Sequence, residues 1–365
     1  MSSEPTPPEP AFERHQLTPT HIWRLKLLGI VLTVCGVALF SYFVYAVGVG
    51  EIAANVSRFG FVGFGVIVAL YFCRICLRSA AWTLSVYEPY SLRMKDTVPA
   101  VIIGEAMSSM IPLGILISGT SKAVAVRRRV PIVVGLSSIA TENLFYSFTT
   151  SIFLILGAFT FLRAFEIEPS WVITLDVLIV LIIAAVIFLV LMVLRQWHIA
   201  SETCEILYRL GFARRLLENG RMQVRLFENF IYGFYRRHPK RFLPICLLEA
   251  SFHLLGIVEV LFILNRISET AGTLLNAFLL ESVSRLITIV FKLVPFMIGV
   301  DEAGAELVAE TVAIGAGIGV TIAIIRKGRI LFWAGVGLLI IIKRGLTLRS
   351  ITEVEMTEDG HRTFG

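Results

Sequence analysis

Apolar residues run through this chain in long blocks. Leu27–Gly50 is an uncharged stretch of 24 residues, longer than the roughly 20 a helix needs to cross a bilayer. Phe59–Cys73 begins a second span that runs on into Arg74 and Arg78. A third begins near Pro131 and continues through Leu144–Leu162, and a fourth, Trp171–Leu194, is interrupted only by Asp176. Phe242–Leu264 and Leu274–Val294 make a fifth and a sixth, each carrying ionisable residues. Leu307–Ile342 is long enough for two short crossings, or for one crossing plus a half-helix. The pattern predicts an all-α polytopic membrane protein with about eight transmembrane helices.

Two apolar segments do not fit plain spans. Val98–Val126 is broken by Gly104, Pro112, Gly114 and Gly119 and has basic residues at both ends, so it enters and leaves on one side. Phe291–Ile314 is broken by Pro295, Gly299 and Gly304. Non-helical backbone at membrane depth survives only inside protein or beside a water-filled cavity, which makes both segments re-entrant, proline-broken hairpins. They also resemble each other. Ser138-Ile-Ala-Thr-Glu follows Pro112 by 26 residues, and Thr321-Ile-Ala-Ile-Ile follows Pro295 by the same interval, an offset of 183. Either this short match is chance or the chain is an internal repeat. Paired broken helices in corresponding halves point to a transporter's binding site.

Composition agrees with the pattern. Hydrophobic residues make up 56% of the 365 and charged residues only 16%, against about 25% in an ordinary soluble domain; the mean hydropathy is +0.80. The net charge of +6 is concentrated in loops. Residues 195–241 hold ten Arg or Lys and four Glu, which places that loop, the N-terminus and the C-terminus beside Lys343, Arg344 and Arg349 on the cytoplasmic side. Inside the loop, Val224, Phe227, Ile231 and Phe234 form one apolar face, the pattern of an interfacial helix facing acidic lipid. The proline-rich start reads as a disordered cytoplasmic tail over 1–20, followed by a transmembrane domain over 21–345 and a second cytoplasmic tail over 346–365. Contact with anionic lipid is expected, and contact with nucleic acid is not.

Buried ionisable residues carry what chemistry the sequence offers. Glu281, Ser284, Arg285, Thr288 and Lys292 fall on one helical stripe. Because charges in lipid cost at least ~2.5–3.5 kcal/mol each, the stripe either lines a polar cavity or pairs internally to fix helix packing. Glu142 shares a face with Ser138 and either pairs with Arg285 or Arg326, relays a proton, or hydrogen-bonds structurally. Arg74 and Arg78 lie one turn apart and repel, so they call for carboxylates or an anion between them, unless both reach the interface. Glu249 and His253 share a face, as a structural hydrogen-bonding pair before a metal or proton-relay pair, and Glu259 needs a partner of its own. Arg326, Lys327 and Arg329 form either an outer loop or a basic cluster inside a long helix. The five cysteines, Cys73 and Cys76 among them, read as small packing residues. Motifs for nucleotide, serine-hydrolase or zinc chemistry are absent, so no cofactor, metal or catalytic residue is assigned.

Over residues 22–345 the chain resembles the flippase-like membrane domain of lysylphosphatidylglycerol synthases, found also as stand-alone proteins of the UPF0104 type. Ser118-Gly-Thr-Ser-Lys is similar to a glycine–acid–xx–Arg segment of the family, with Lys122 at the arginine position and Gly119 in place of the acid. Glu142-Asn143 matches an acid–arginine pair whose arginine is lost. Pro295-Phe-Met-Ile-Gly-Val-Asp-Glu keeps the proline, Gly299 and Glu302 of a second motif, and a basic residue expected further on falls on Arg326 or Lys327. The resemblance implies movement of an anionic or modified lipid between leaflets of a bacterial cytoplasmic membrane. It implies a transporter more than an enzyme, with any aminoacyl or glycosyl transfer belonging to a separate partner. An intramembrane lipid-modifying enzyme and a non-catalytic membrane partner are the alternatives.

Overall fold

A computed structural model describes residues 37–38, 40–42, 44–110, 114–165, 169–210, 214–268, 272–291, 294, 297–315 and 317–343. Among them every regular element is a helix. The all-α membrane fold predicted from the apolar blocks is the fold observed. Most of the first span, together with Pro112, Lys292, Pro295 and both predicted tails, lies outside the described residues.

The helices are α1 (Val49–Leu84), α2 (Met94–Met110), α3 (Gly114–Val126), α4 (Ile132–Ala164), α5 (Pro169–Leu194), α6 (Ile199–Arg209), α7 (Arg214–Arg237), α8 (Phe242–Ile267), α9 (Leu274–Val290), α10 (Val300–Thr311) and α11 (Ile318–Lys343). Among the described residues, four stretches have the length and apolarity to cross a membrane: α1, α4, Val172–Met192 of α5, and Pro239–Ile267, which contains α8. None of the described α5 window is fully buried against protein, so most of its surface is left for lipid, while Leu175 and Leu178 face α4. α1 is kinked at Gly60, whose φ of 67° only glycine adopts without strain.

The predicted sixth span ends early. α9 is 17 residues long, about 25 Å at 1.5 Å per residue, and packs against α10 rather than continuing. The pair α2–α3 has the same form: a 17-residue helix in contact with a shorter one. Leu307–Ile342 resolves into the end of α10 and the single long helix α11. Gly299 opens α10 with φ 82°, in the left-handed region that favours glycine. Gly119 does not break anything. It lies within α3, where a Cβ would meet no atom within 4 Å, so the interruption between α2 and α3 comes before it.

The repeat emerges at the level of helices. Adding 183 to the bounds of α2, α3 and α4 gives 277–293, 297–309 and 315–347, close to α9, α10 and α11. The same shift carries Leu84, the last residue of α1, to Ile267, the last of α8. Packing follows the correspondence. α1–α2, α2–α3, α3–α4 and α1–α4 are matched by α8–α9, α9–α10, α10–α11 and α8–α11, while α11 on α2 and α1 is matched by α4 on α9 and α8. In each hairpin a glycine allows close approach: a Cβ at Gly104 would lie 2.7 Å from Lys122, and one at Gly304 1.9 Å from Ile287.

The halves run in opposite directions. Phe59 early in α1 meets Phe262 late in α8, with ring centroids 6.1 Å apart. Arg74 lies over Phe252 at 4.2 Å, and Ala81 clusters with Ile245 near the start of α8. Equivalent helices that lie antiparallel make this an inverted repeat, with α1 and α8 in contact at its centre.

α5, α6 and α7 connect the halves. The C-terminal part of the apolar face of α7 is turned into the protein: Ile231 and Phe234 are buried, and Phe234 packs with Ala81, Phe145 and Ile245, while the Phe227 side chain lies outside the described residues. The face expected to meet lipid thus closes one end of the bundle, because α4 and the ends of α1 and α8 offer it an aromatic surface.

Candidate functional site

The polar stripe of α9 is gripped by three other helices. Glu281 is fully buried. Its Oε1 accepts hydrogen bonds from Arg285 one turn on (Nη2 2.7 Å, Nε 3.2 Å) and from Arg74 of α1 (3.3 Å). Its Oε2 accepts from Arg326 of α11 at 2.7 Å. Glu259 of α8, also fully buried, accepts from Arg74 at 3.2 Å and from Arg329, and lies 3.9 Å from Arg326. Four guanidiniums therefore surround two carboxylates at the junction of the halves. Asp301, bonded to Ser284 at 3.2 Å, brings the acids to three, and arginine remains in excess.

Local sequence makes the cluster feasible. A Cβ at Gly256 would come within 2.3 Å of Glu281 Oε1 and 3.2 Å of Arg74 Nη2, so only glycine lets the network lie against α8. Rings take the faces of the guanidiniums that carboxylates leave open. Phe252 lies beneath Arg74 at 4.2 Å, Arg285 at 5.3 Å and Arg78 at 5.8 Å, and Tyr71 lies beneath Arg329 at 4.0 Å. The Tyr71 hydroxyl donates to Glu105 at 2.6 Å.

A second cluster lies beside the first. Arg78 donates to Glu142 (2.9 Å from Nε) and to Asn143 (3.2 Å), and stacks on Tyr146 at 4.5 Å. Lys122 is buried against Gly104, with its charge near Glu249. A third group belongs to the second half. Lys327 meets Glu302 at 2.5 Å, Glu302 accepts the Gly299 N–H at 2.8 Å, and Glu306 accepts the N–H groups of Gly317 and Val320 at the start of α11.

Of the predicted residues, Arg74, Glu281, Arg285 and Arg326 come together, Arg78, Glu142 and Lys122 lie in the neighbouring cluster, and Glu302 pairs with Lys327. Arg74 and Arg78 each have carboxylates of their own, Arg74 with Glu259 and Glu281 and Arg78 with Glu142. Glu142 pairs with Arg78, not with Arg285 or Arg326. The basic triplet of α11 lies inside a helix, with Arg326 and Arg329 buried. Sequence reasoning left Glu105, Tyr71, Phe252 and Gly256 unassigned; an acid in the apolar segment Val98–Val126 was the one available signal, and it pointed to Glu105. Among the described residues, no group of three or more His, Cys, Asp or Glu could hold a metal ion.

The family described as "Lysylphosphatidylglycerol synthase TM region" matches residues 26–337. The chain belongs to this family. No curated protein and no solved structure matches it. Every charged residue of the three groups falls within the lysylphosphatidylglycerol synthase region, and membership identifies the chain as a membrane protein of a lipid-related family.

Proposed function

We propose that this protein moves the headgroup of an anionic or modified lipid between the leaflets of a bacterial cytoplasmic membrane, with its N-terminus on the cytoplasmic side. One observation carries the reading: the excess of guanidinium over carboxylate where the inverted halves meet. A buried cation without a counter-charge costs several kcal/mol, and a passing phosphate or carboxylate would supply the missing charge. Arginine suits that task because its planar fork binds phosphate through two parallel hydrogen bonds. Arg285, 11% exposed, is the member of the cluster nearest to open space. Inverted repeats with a site at their interface are the usual architecture of carriers that expose one site to alternate sides. Any covalent change to the lipid belongs to a separate enzyme that supplies or receives it.

The test is reconstitution of the purified chain in liposomes containing a headgroup-labelled anionic phospholipid. Movement of the label between leaflets should accelerate, and Arg285→Ala should slow it at equal protein abundance. Label movement no faster than in protein-free liposomes, for phosphatidylglycerol and its aminoacylated form alike, would refute the reading.

A further inference from the structure

Among the described residues, Glu249 stands apart from the other buried acids. It is fully buried on α8, and neither of its oxygens meets a hydrogen-bond donor among the described residues. The groups facing it come from several helices. Glu142 of α4 lies within hydrogen-bonding reach, with Arg78 of α1 and Lys122 of α3 close by. Cys246 lies one turn back on α8, and Tyr146 and Glu105 flank Arg78. One turn on, His253 sits 3.0 Å from the Thr150 hydroxyl through Nε2, while its Nδ1 has no hydrogen-bond partner among the described residues. Arg285 and Glu281 of α9 lie beyond that imidazole.

Arg78 is already committed. Its Nε and Nη2 both engage Glu142 Oε1, and Nη2 also reaches Asn143. Turning it toward Glu249 would strip Glu142 of its cation. Two carboxylates therefore share a site in which one accepts from a guanidinium and the other, with the Lys122 charge nearby, meets no hydrogen-bond donor among the described residues. A buried carboxylate without a donor is expensive. A proton removes the cost on both sides, because a protonated Glu249 becomes a donor facing an acceptor on Glu142.

We propose that Glu142 and Glu249 form a carboxyl pair that holds one proton, and that its release and uptake accompany headgroup movement through the adjacent arginine cluster. The proton site stands on the burial of Glu249 and its lack of a donor beside Glu142; the coupling rests on the transport reading above. When the proton leaves to water, the pair's charge changes from −1 to −2 and draws Arg78 in. Arg78 shares the Phe252 ring with Arg74 and Arg285, so its movement alters the surface on which the headgroup-binding arginines rest. With one proton per lipid, a gradient of one pH unit biases the leaflet ratio by up to about tenfold.

The test uses the full chain in liposomes and two readouts. Infrared difference spectra across a pH step should show a protonated-carboxyl band that Glu249→Gln removes; glutamine keeps the shape and offers Glu142 a donor, so the fold is retained. Glu142→Gln should shift the same band. In the second readout, reversing a pH gradient should reverse the bias of the labelled lipid, and Glu249→Gln should abolish that response. The absence of a band sensitive to Glu249→Gln would overturn the proposal whether or not lipid moves. A band accompanied by lipid movement indifferent to the gradient would overturn the coupling. A band with no lipid movement under any condition would refute the transport reading and support the proton pair.

Discussion

The two halves share a chain path but not a charge pattern. Shifted by 183, Arg74 falls on Ile257, Arg78 on Leu261, Glu142 on Ile325 and Lys122 on Ala305; in the other direction Glu281 falls on Val98, Glu259 on Cys76, Glu302 on Gly119 and Lys327 on Leu144. Each of these charges has an uncharged counterpart, yet the helices and their contacts are preserved. Apolar shape and close glycine contacts therefore hold the repeat, and charge is an addition to it. The asymmetry has a physical cause near the centre. Residues at a two-fold axis meet their own images, and a duplicated Arg74 would oppose another arginine. Opposite charges drawn from different sequence positions, Arg74 with Glu259, avoid that repulsion.

The comparison breaks hardest at Glu281. Glu281→Ala leaves Arg74, Arg285 and Arg326 without their shared carboxylate, and should destabilise the protein by about 3–5 kcal/mol. Its counterpart substitution Val98→Ala should cost less. Unfolding in a mixed-detergent titration measures both, and equal losses would mean that the charges are not what distinguishes the halves. Gly256→Ala comes next. Its Cβ would stand 2.3 Å from Glu281 Oε1, so the network must shift, at about 1–3 kcal/mol. Arg285→Lys keeps the charge and loses the two-pronged contact with Glu281. Stability should fall by about 1 kcal/mol, whereas lipid movement should slow by roughly tenfold if the fork also holds the headgroup.

How far the sequence spoke depends on the range of each contact. α4, α5 and α8 were legible because long, mainly apolar runs mark their lengths, and Pro131 marks where α4 starts. The Glu281–Arg285 pair was legible from i, i+4 spacing. Arg74 lies 207 positions from Glu281 and 185 from Glu259, and no local period reports such partners. The end of α9 was not legible, because an apolar run does not show where a helix stops and the next one, α10, packs against it. The apolar face of α7 was found, but its destination was not: aromatic residues suit an interface and a protein surface equally.

The smallest effect should come from making the halves more alike. Glu302 and Lys327 pair in the second half, where the first has Gly119 and Leu144. Lys327→Leu alone strands a buried carboxylate and should cost about 2 kcal/mol, since 13% of the lysine is exposed to begin with. Glu302→Gln alone strands the ammonium but keeps an acceptor for the Gly299 N–H. Together the two changes remove both charges while a side-chain carbonyl still caps α10, so the double variant should return to within about 1 kcal/mol of wild type. A double-mutant cycle followed by unfolding measures the coupling. Strict additivity would show that Glu302 and Lys327 act independently, and that the second half needs each charge for itself. A large coupling with lipid movement intact would assign the pair to packing and leave the arginine cluster and its neighbouring carboxyls as the part of the asymmetry that serves transport.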